Sequence, residues 1–151
     1  MISIRHLKVQ DLTREYFALL DQLSPYPTDS SDFVFSNNAL SNFGLYQRNF
    51  NHIILVALYD GIIVGTAAVL IEYKIRGNVC AHIEDVVVDN THRGHGTGKL
   101  LIEELVKIAK HYRCYKVILD CSEENISFYK KCGFKRYENC MRMDLNEGSL
   151  D

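Results

Sequence analysis

Only 2 prolines, Pro25 and Pro27, stand among the 151 residues, and no tract is of low complexity, which excludes collagenous, linker-rich and disordered chains. Neither sign of charge dominates. Lys and Arg number 17 against 19 Asp and Glu, for a net charge of −2, so the basic footprint of a nucleic-acid binder is missing and an anionic ligand has to be met by a local site. The longest apolar run, Ile62 to Ile71, is interrupted by Gly65 and Thr66 and falls well short of the roughly 20 residues that span a bilayer, so no integral membrane association is expected. Cysteine is sparse and unpatterned: Cys80, Cys114, Cys121, Cys132 and Cys140 make an odd count with no C-x-x-C pair, against a disulfide framework or a zinc ribbon. They are expected to be reduced thiols, mostly in the core. Met1-Ile2-Ser3-Ile4-Arg5 lacks the charged, apolar, small order of a secretory signal, which points to a cytoplasmic location. What is present, 47% hydrophobic and 24% charged residues, fits a single globular domain over residues 1–151.

Ile2, Ile4 and Leu7 suggest a first strand, and Asp11 an N-cap for a helix carrying Leu12, Tyr16, Leu19, Leu20 and Leu23. Ser24 to Ser31 reads as a loop, followed by a weak helical stretch over Ala39 to Phe50. Ile53 to Tyr59 and Ile62 to Tyr73 flank Asp60-Gly61, a strong hairpin signal, and Ala81 to Val88 continues the meander through Arg76-Gly77-Asn78. Lys99 to Tyr112 places Leu101, Leu105, Ile108 and Tyr112 on one helical face, with Lys107, Lys110 and His111 at the end where cations suit the dipole. Tyr115 to Leu119 reads as a short buried strand, Ser122 to Lys131 as a helix capped by Ser122, and Gly133-Phe134 as the start of a last hairpin. The order β-α-(α)-β-β-β-α-β-α-β predicts an α/β or α+β sandwich around one mixed sheet.

The most informative segment runs from the strand Ile83 to Val88 through Arg93-Gly94-His95-Gly96-Thr97-Gly98-Lys99 into the strong helix. Such a turn offers several backbone N–H groups at the positive end of a helix dipole, with no Cβ to hold a phosphate away. It is neither a Walker A loop, which would need Gly in place of Arg93 and Ser or Thr in place of Leu100, nor the dinucleotide fingerprint, which would need Gly in place of Lys99. Glu84 and Asp85 are adjacent acids within an apolar strand and face opposite sides unless a bulge intervenes; a bulge is expected. Mere packing does not favour two such acids, and a buried ion pair is the plain structural alternative. On spacing alone Tyr129 reads as a core aromatic. His92-x-x-His95 has no third ligand at sensible spacing, and no metal is expected. Cys121 and Cys132 have no His beside them in the pattern and read as core residues rather than nucleophiles.

Arg93-x-x-Gly96-x-Gly98 resembles the pyrophosphate loop of the GNAT superfamily of acetyl-CoA-dependent N-acetyltransferases. The likeness extends through His82-Ile83-Glu84-Asp85-Val86-Val87-Val88-Asp89, Cys114 to Asn125, and Phe128-Tyr129-x-Lys131-Cys132-Gly133-Phe134, which resemble the eukaryotic glucosamine-6-phosphate N-acetyltransferase family. The block from Ile71 to Phe134 is nearly unbroken, whereas Pro25 to Phe50 and the tail after Arg136 depart from the family. The resemblance implies a GNAT fold with a mixed, mostly antiparallel sheet splayed between strands 4 and 5 and flanked by helices. It implies a homodimeric acyltransferase that passes the acetyl group of acetyl-CoA to the amine of D-glucosamine 6-phosphate by direct transfer, feeding UDP-N-acetylglucosamine synthesis.

By the same resemblance, the backbone of Val86, Val87 and Val88 contacts pantetheine and supplies the oxyanion donor, and Arg93, Gly94, His95, Gly96, Thr97, Gly98 and Lys99 hold the pyrophosphate. Asn125 contacts the cofactor and Tyr129 protonates the departing thiolate. Glu84 and Asp85 line the sugar site, with Glu84 the general base and Asp120, the competing base, receiving the amine. Lys74, the Tyr115-Lys116 pair and Ser24 serve the sugar phosphate, joined by Arg142, which stands near the position where the family places a basic residue, often from the neighbouring subunit. Two rivals remain: the same fold acting on another amine, a peptide N-terminus or a polyamine, and a catalytically silent acyl-CoA-binding module.

Overall fold

The computed structural model describes residues 1–24 and 32–145, the side chains of 32–36 excepted. Of the expected loop from Ser24 to Ser31, all but Ser24 lies outside them. The chain divides into two compact units, Met1–Leu119 and Asp120–Asp151.

The first unit holds one five-stranded sheet in the order β1 (Ile2–His6), β2 (His52–Tyr59), β3 (Ile62–Tyr73), β4 (Val79–Val88) and β5 (Lys116–Ile118). The first four strands run antiparallel and β5 runs parallel to β4. At the β2–β3 hairpin Tyr59 faces Ile62, leaving a two-residue turn in which Asp60 and Gly61 both have positive φ, 49° and 84°. That mirror-image turn matches strand twist, which is why Asp-Gly signals it. Three helices, α1 (Arg14–Asp21), α2 (Asp32–Arg48) and α3 (Thr97–His111), cover the sheet. The Tyr16 hydroxyl of α1 reaches Thr66, while Leu101 of α3 lies over Gly65. Because successive strand residues face opposite sides, α1 and α3 cover opposite faces. On the α1 side Leu7, Tyr16, Phe43 and Val56 form one cluster; on α3, Leu101, Ile102, Leu105 and Ala109 are buried.

Several local expectations are corrected. The N-cap of α1 is Thr13, whose hydroxyl accepts from Tyr16 N, because Asp11 instead ends a short 3₁₀ turn and takes two bonds from Arg5. The weak helical stretch is the end of the longer α2. β5 is a partly exposed edge rather than a buried strand, with Val117 its one half-buried residue. Of the cysteines, Cys80 is buried, Cys114 and Cys132 are half-buried, and Cys121 and Cys140 are exposed, so the thiols are not mostly in the core.

The second unit contains a 3₁₀ turn, Glu123–Asn125, and α4 (Ile126–Lys131). Ser122 precedes the 3₁₀ turn without a side-chain cap bond, so the expected single capped helix is two shorter pieces. Tyr129 packs edge-on against Phe128 and Phe134, with ring centroids 4.9 and 6.0 Å away. No strand follows α4 among the described residues, and Tyr137, Met141, Met143 and Leu145 are exposed, so the expected last hairpin is absent. A two-stranded ribbon without a sheet or helix to lie on is marginal in water.

Candidate active site on strand β4

Between Thr66 and Ala68 of β3 stands one residue, Ala67, but between their β4 partners Val87 and Glu84 stand two, Asp85 and Val86. This is a bulge, and Asp85 takes φ +52° within it. As expected, it removes the strict alternation, so both Glu84 and Asp85 are exposed on one strand that is otherwise largely buried. β5 pairs only with Cys80, Ala81 and His82. Past His82 the pairing ends, with β5 itself, at Ile118, and among the described residues no strand pairs with the β5-facing edge of residues 84–88. The Val87 side chain is buried while Val86 and Val88 are half-buried, as a segment working through its backbone requires.

Asp85 lines a cavity of about 520 Å³ under α1 and α2, together with Tyr16, Tyr46, His52 and Thr66. The Thr66 hydroxyl donates to Leu55 O at 2.8 Å and stands 3.3 Å from the Tyr16 hydroxyl, which therefore donates to it. Burial raises the Tyr16 pKa and lowers that of His52, the Asp85 carboxylate opposing the latter shift. Both groups are neutral near pH 7.

After β4 the chain turns through Asn90–His92 into the glycine-rich segment. Asp89 accepts from Gln22 Nε2 at 2.9 Å and is bonded by Thr91 and His92, while Asn90 N donates to Gln22 Oε1 at 2.9 Å. These bonds, Thr91 first, hold the Asp89 carboxyl well below the usual range. Arg93 Nε donates to Val88 O at 2.9 Å. Gly94 and Gly96 both have φ +82°, and Gly96 is the N-cap of α3. A Cβ at either would meet nothing within 4 Å, so the turn borders open space. The first N–H groups of α3 at Thr97, Gly98 and Lys99 precede its first internal bond, Leu100 N to Gly96 O, an arrangement chemically suited to an anion. Gly65 allows α3 to approach this closely: a Cβ there would lie 3.2 Å from both Leu101 Cδ1 and Val87 O. His95 and Lys99 are exposed, and Thr97 is buried.

Of the residues expected on a sugar phosphate, Lys74 and Tyr115 line one cavity of about 550 Å³ with Ile75, Arg76 and Asn78, and Lys116 Nζ stands 5.3 Å from the Tyr115 ring. Lys74 is held by Glu72 at 2.8 Å, which raises its pKa. Ser24 is exposed at the end of the α1 segment, its N–H bonded to Leu20 O. Asp85 thus opens on a different cavity from Lys74. In the second unit Asp120 and Asn125 are exposed and Arg142 is paired with Asp144. Tyr129 is buried, and desolvation, with Cys121 and Cys132 adding to it, pushes its phenol up to about 12.

Sequence reading overlooked Arg76 and Asn78, taken only as turn residues, and Gln22, which ties the end of α1 to the start of the glycine turn. The Arg-Gly-Asn triplet carried a usable signal, because a five-residue hairpin loop crowds its own cations. Nothing local marks Gln22.

The acetyltransferase (GNAT) family model matches residues 9–134. The glucosamine 6-phosphate N-acetyltransferase of Trypanosoma brucei brucei is 38% identical over 148 residues, covering 95% of this chain and 96% of that protein. Glucosamine 6-phosphate N-acetyltransferase 1 of Oryza sativa subsp. japonica is 39% identical, covering 87% and 79%. The crystal structure of the Arabidopsis thaliana glucosamine-6-phosphate N-acetyltransferase superposes with a TM-score of 0.86 at 35% identity, covering 97% of this chain and 99% of that one. The splayed strand, the bulged acids and the glycine cradle therefore agree with the sequence kinship: the chain belongs to the GNAT acetyltransferase family, among relatives that carry the name glucosamine 6-phosphate N-acetyltransferase.

Proposed function

We propose that the protein transfers the acetyl group of acetyl-CoA to the 2-amino group of D-glucosamine 6-phosphate, giving N-acetyl-D-glucosamine 6-phosphate and CoA, a step toward UDP-N-acetylglucosamine. The observation that carries this reading is β4 itself. One strand parts from its neighbour, exposes two adjacent acids at a bulge, and leads into an anion cradle at a helix N-terminus. The named relatives supply the amine acceptor.

In this reading acetyl-CoA is a co-substrate, its pyrophosphate held by the turn from Arg93 to Lys99 with Asn125 adding a contact. Its pantetheine lies along the backbone of Val86, Val87 and Val88, one of whose N–H groups donates to the thioester oxygen as negative charge builds there. The neutral amine nitrogen attacks the carbonyl carbon, Glu84 takes the proton, directly or through water, and Asp120 receives and orients the amine. The carbon–sulfur bond then breaks, the thiolate leaving against the Tyr129 hydroxyl. Lys74, Tyr115, Lys116, Ser24 and Arg142 serve the sugar phosphate, and Asp85 the sugar. No metal takes part.

The family match over residues 9–134 crosses the boundary between the two compact units and supports residues 1–151 as one acetyltransferase domain. Met141, Met143 and Leu145, exposed at alternate positions, favour a homodimer in which a second chain covers them. The five thiols favour the reducing cytoplasm.

Thiol release from acetyl-CoA, compared among D-glucosamine 6-phosphate, unphosphorylated glucosamine, spermidine and a peptide amine, tests the proposal. Rapid release with the phosphosugar alone is expected. Faster turnover of another amine overturns the acceptor, and binding of acetyl-CoA without release to any amine favours the silent module.

A further inference from the structure

Glu72 of β3 and Cys80 of β4 are direct cross-strand partners, and His82 stands two residues beyond Cys80, where strand periodicity returns to the same face. One ligand atom of each, a carboxylate oxygen, the thiol sulfur and an imidazole nitrogen, lies within 4.8 Å of the other two. The sequence hides the group because seven residues and the hairpin turn separate Glu72 from Cys80.

The hydrogen bonds already present divide the carboxylate into two parts. Oε2 faces His82 Nε2 at 2.7 Å, while Oε1 accepts from Lys74 Nζ at 2.8 Å. The first oxygen is engaged by His82 alone, so the two can give up their mutual bond for a shared ligand, and the second is braced by an outer partner, as ligating carboxylates usually are. Cys80 is fully buried, its sulfur in a long contact to Ala81 O at 3.7 Å, and His82 and Glu72 are partly exposed, so the group opens to solvent on one side. Two ladder-paired strands make a rigid frame.

We propose that Glu72, Cys80 and His82 form a binding site for a borderline-soft divalent cation of the zinc type. One thiolate, one imidazole and one carboxylate are the donor set such an ion takes, with three protein ligands and a fourth position left to water. The charges balance: thiolate and carboxylate together neutralise the ion. On binding, the Cys80 S–H bond breaks, its proton passes to solvent, and the sulfur–metal bond forms. His82 Nε2 and Glu72 Oε2 move from hydrogen-bond distance to about 3.3 Å, the ligand separation of a tetrahedral site. The rejected pair His92 and His95 plays no part in it.

Competition with a chromophoric chelator for zinc, and titration with cobalt(II) as a coloured substitute, test the site on the full chain. One zinc per chain and a thiolate-to-cobalt charge-transfer band are expected. Both should persist when exposed Cys121 and Cys140 are changed to Ser, and affinity should fall by more than about tenfold in Cys80→Ala and in His82→Gln. Equal affinity in wild type and Cys80→Ala, a cobalt spectrum without the sulfur band, or no zinc held by the wild type overturns the proposal. Should Cys80→Ala fail to fold by circular dichroism, His82→Gln at its partly exposed position decides.

Discussion

Asp85 holds φ at +52°, a left-handed conformation that costs a non-glycine residue roughly 1 kcal/mol or more. In the proposed reaction its carboxylate, placed on the sugar, is the return. Asp85→Gly should therefore raise the thermal midpoint while lowering kcat/KM for the amino sugar, and a fall in both would show that the carboxylate also holds the fold. Tyr129 is governed by burial in the opposite sense. A phenol pushed up to about 12 stays protonated to beyond pH 10 and is a weaker acid than a thiol near 8.5, so in the proposed reaction it would help the departing sulfur by hydrogen bonding more than by complete proton transfer. Tyr129→Phe should lower kcat by about 10- to 100-fold. The alkaline limb of the pH–rate profile should stay where it is, because Tyr129 does not titrate there; a displaced limb would refute this. The bulge was legible in the sequence, since two adjacent acids in an apolar strand face opposite sides unless one intervenes. Arg76 was legible only in part, because its crowding with Lys74 is local to one hairpin loop, whereas Tyr115 lies far along the chain.

Among the elements, the Asp60-Gly61 hairpin and α3 followed directly from local chemistry, one from a turn that demands positive φ and the other from an uninterrupted apolar face. The start of α1 was misread because Asp11 and Thr13 are both good caps, and only the position of Arg5 on β1 decides between them. Arg5 binds Asp11 with two bonds, 2.6 and 2.8 Å, on a carboxylate that is 7% exposed. This pair, with Lys8 N–H adding to it, lowers the Asp11 pKa. A lowered folded-state value means stabilisation that is complete above the ordinary carboxylate pKa of about 3.9 and is lost as pH falls through the folded value. Asp11→Asn should cost about 2 kcal/mol at pH 7, measured by urea unfolding, and the deficit should shrink below about pH 4. A deficit constant with pH would mean that shape rather than charge holds this corner. The β5 segment was expected to be buried because Val117, Ile118 and Leu119 are apolar, but apolar composition cannot distinguish a central strand from an edge.

For the molecule as a whole, near-neutral charge turned attention from a general electrostatic surface to one local turn, the α3 N-terminus, whose first N–H groups precede its first internal bond. The missing last hairpin marks the limit of single-chain reasoning: Met141-Arg142-Met143-Asp144-Leu145 alternates like a strand, yet alternation names no partner. One consequence concerns the order in which the sheet comes apart. Only three residue pairs join β5 to β4, against the long ladders that join β2, β3 and β4. Amide hydrogen exchange should therefore be fastest, among the strands, at Lys116, Val117 and Ile118, and slowest at Val56 and Val69, with protection factors separated by about 100-fold or more. Uniform protection across the five strands would show a single cooperative unit. With the expected gradient, the edge beside Tyr115 and Lys116 opens while the rest of the sheet remains closed, and a bound phosphate would be recorded as slower exchange there first.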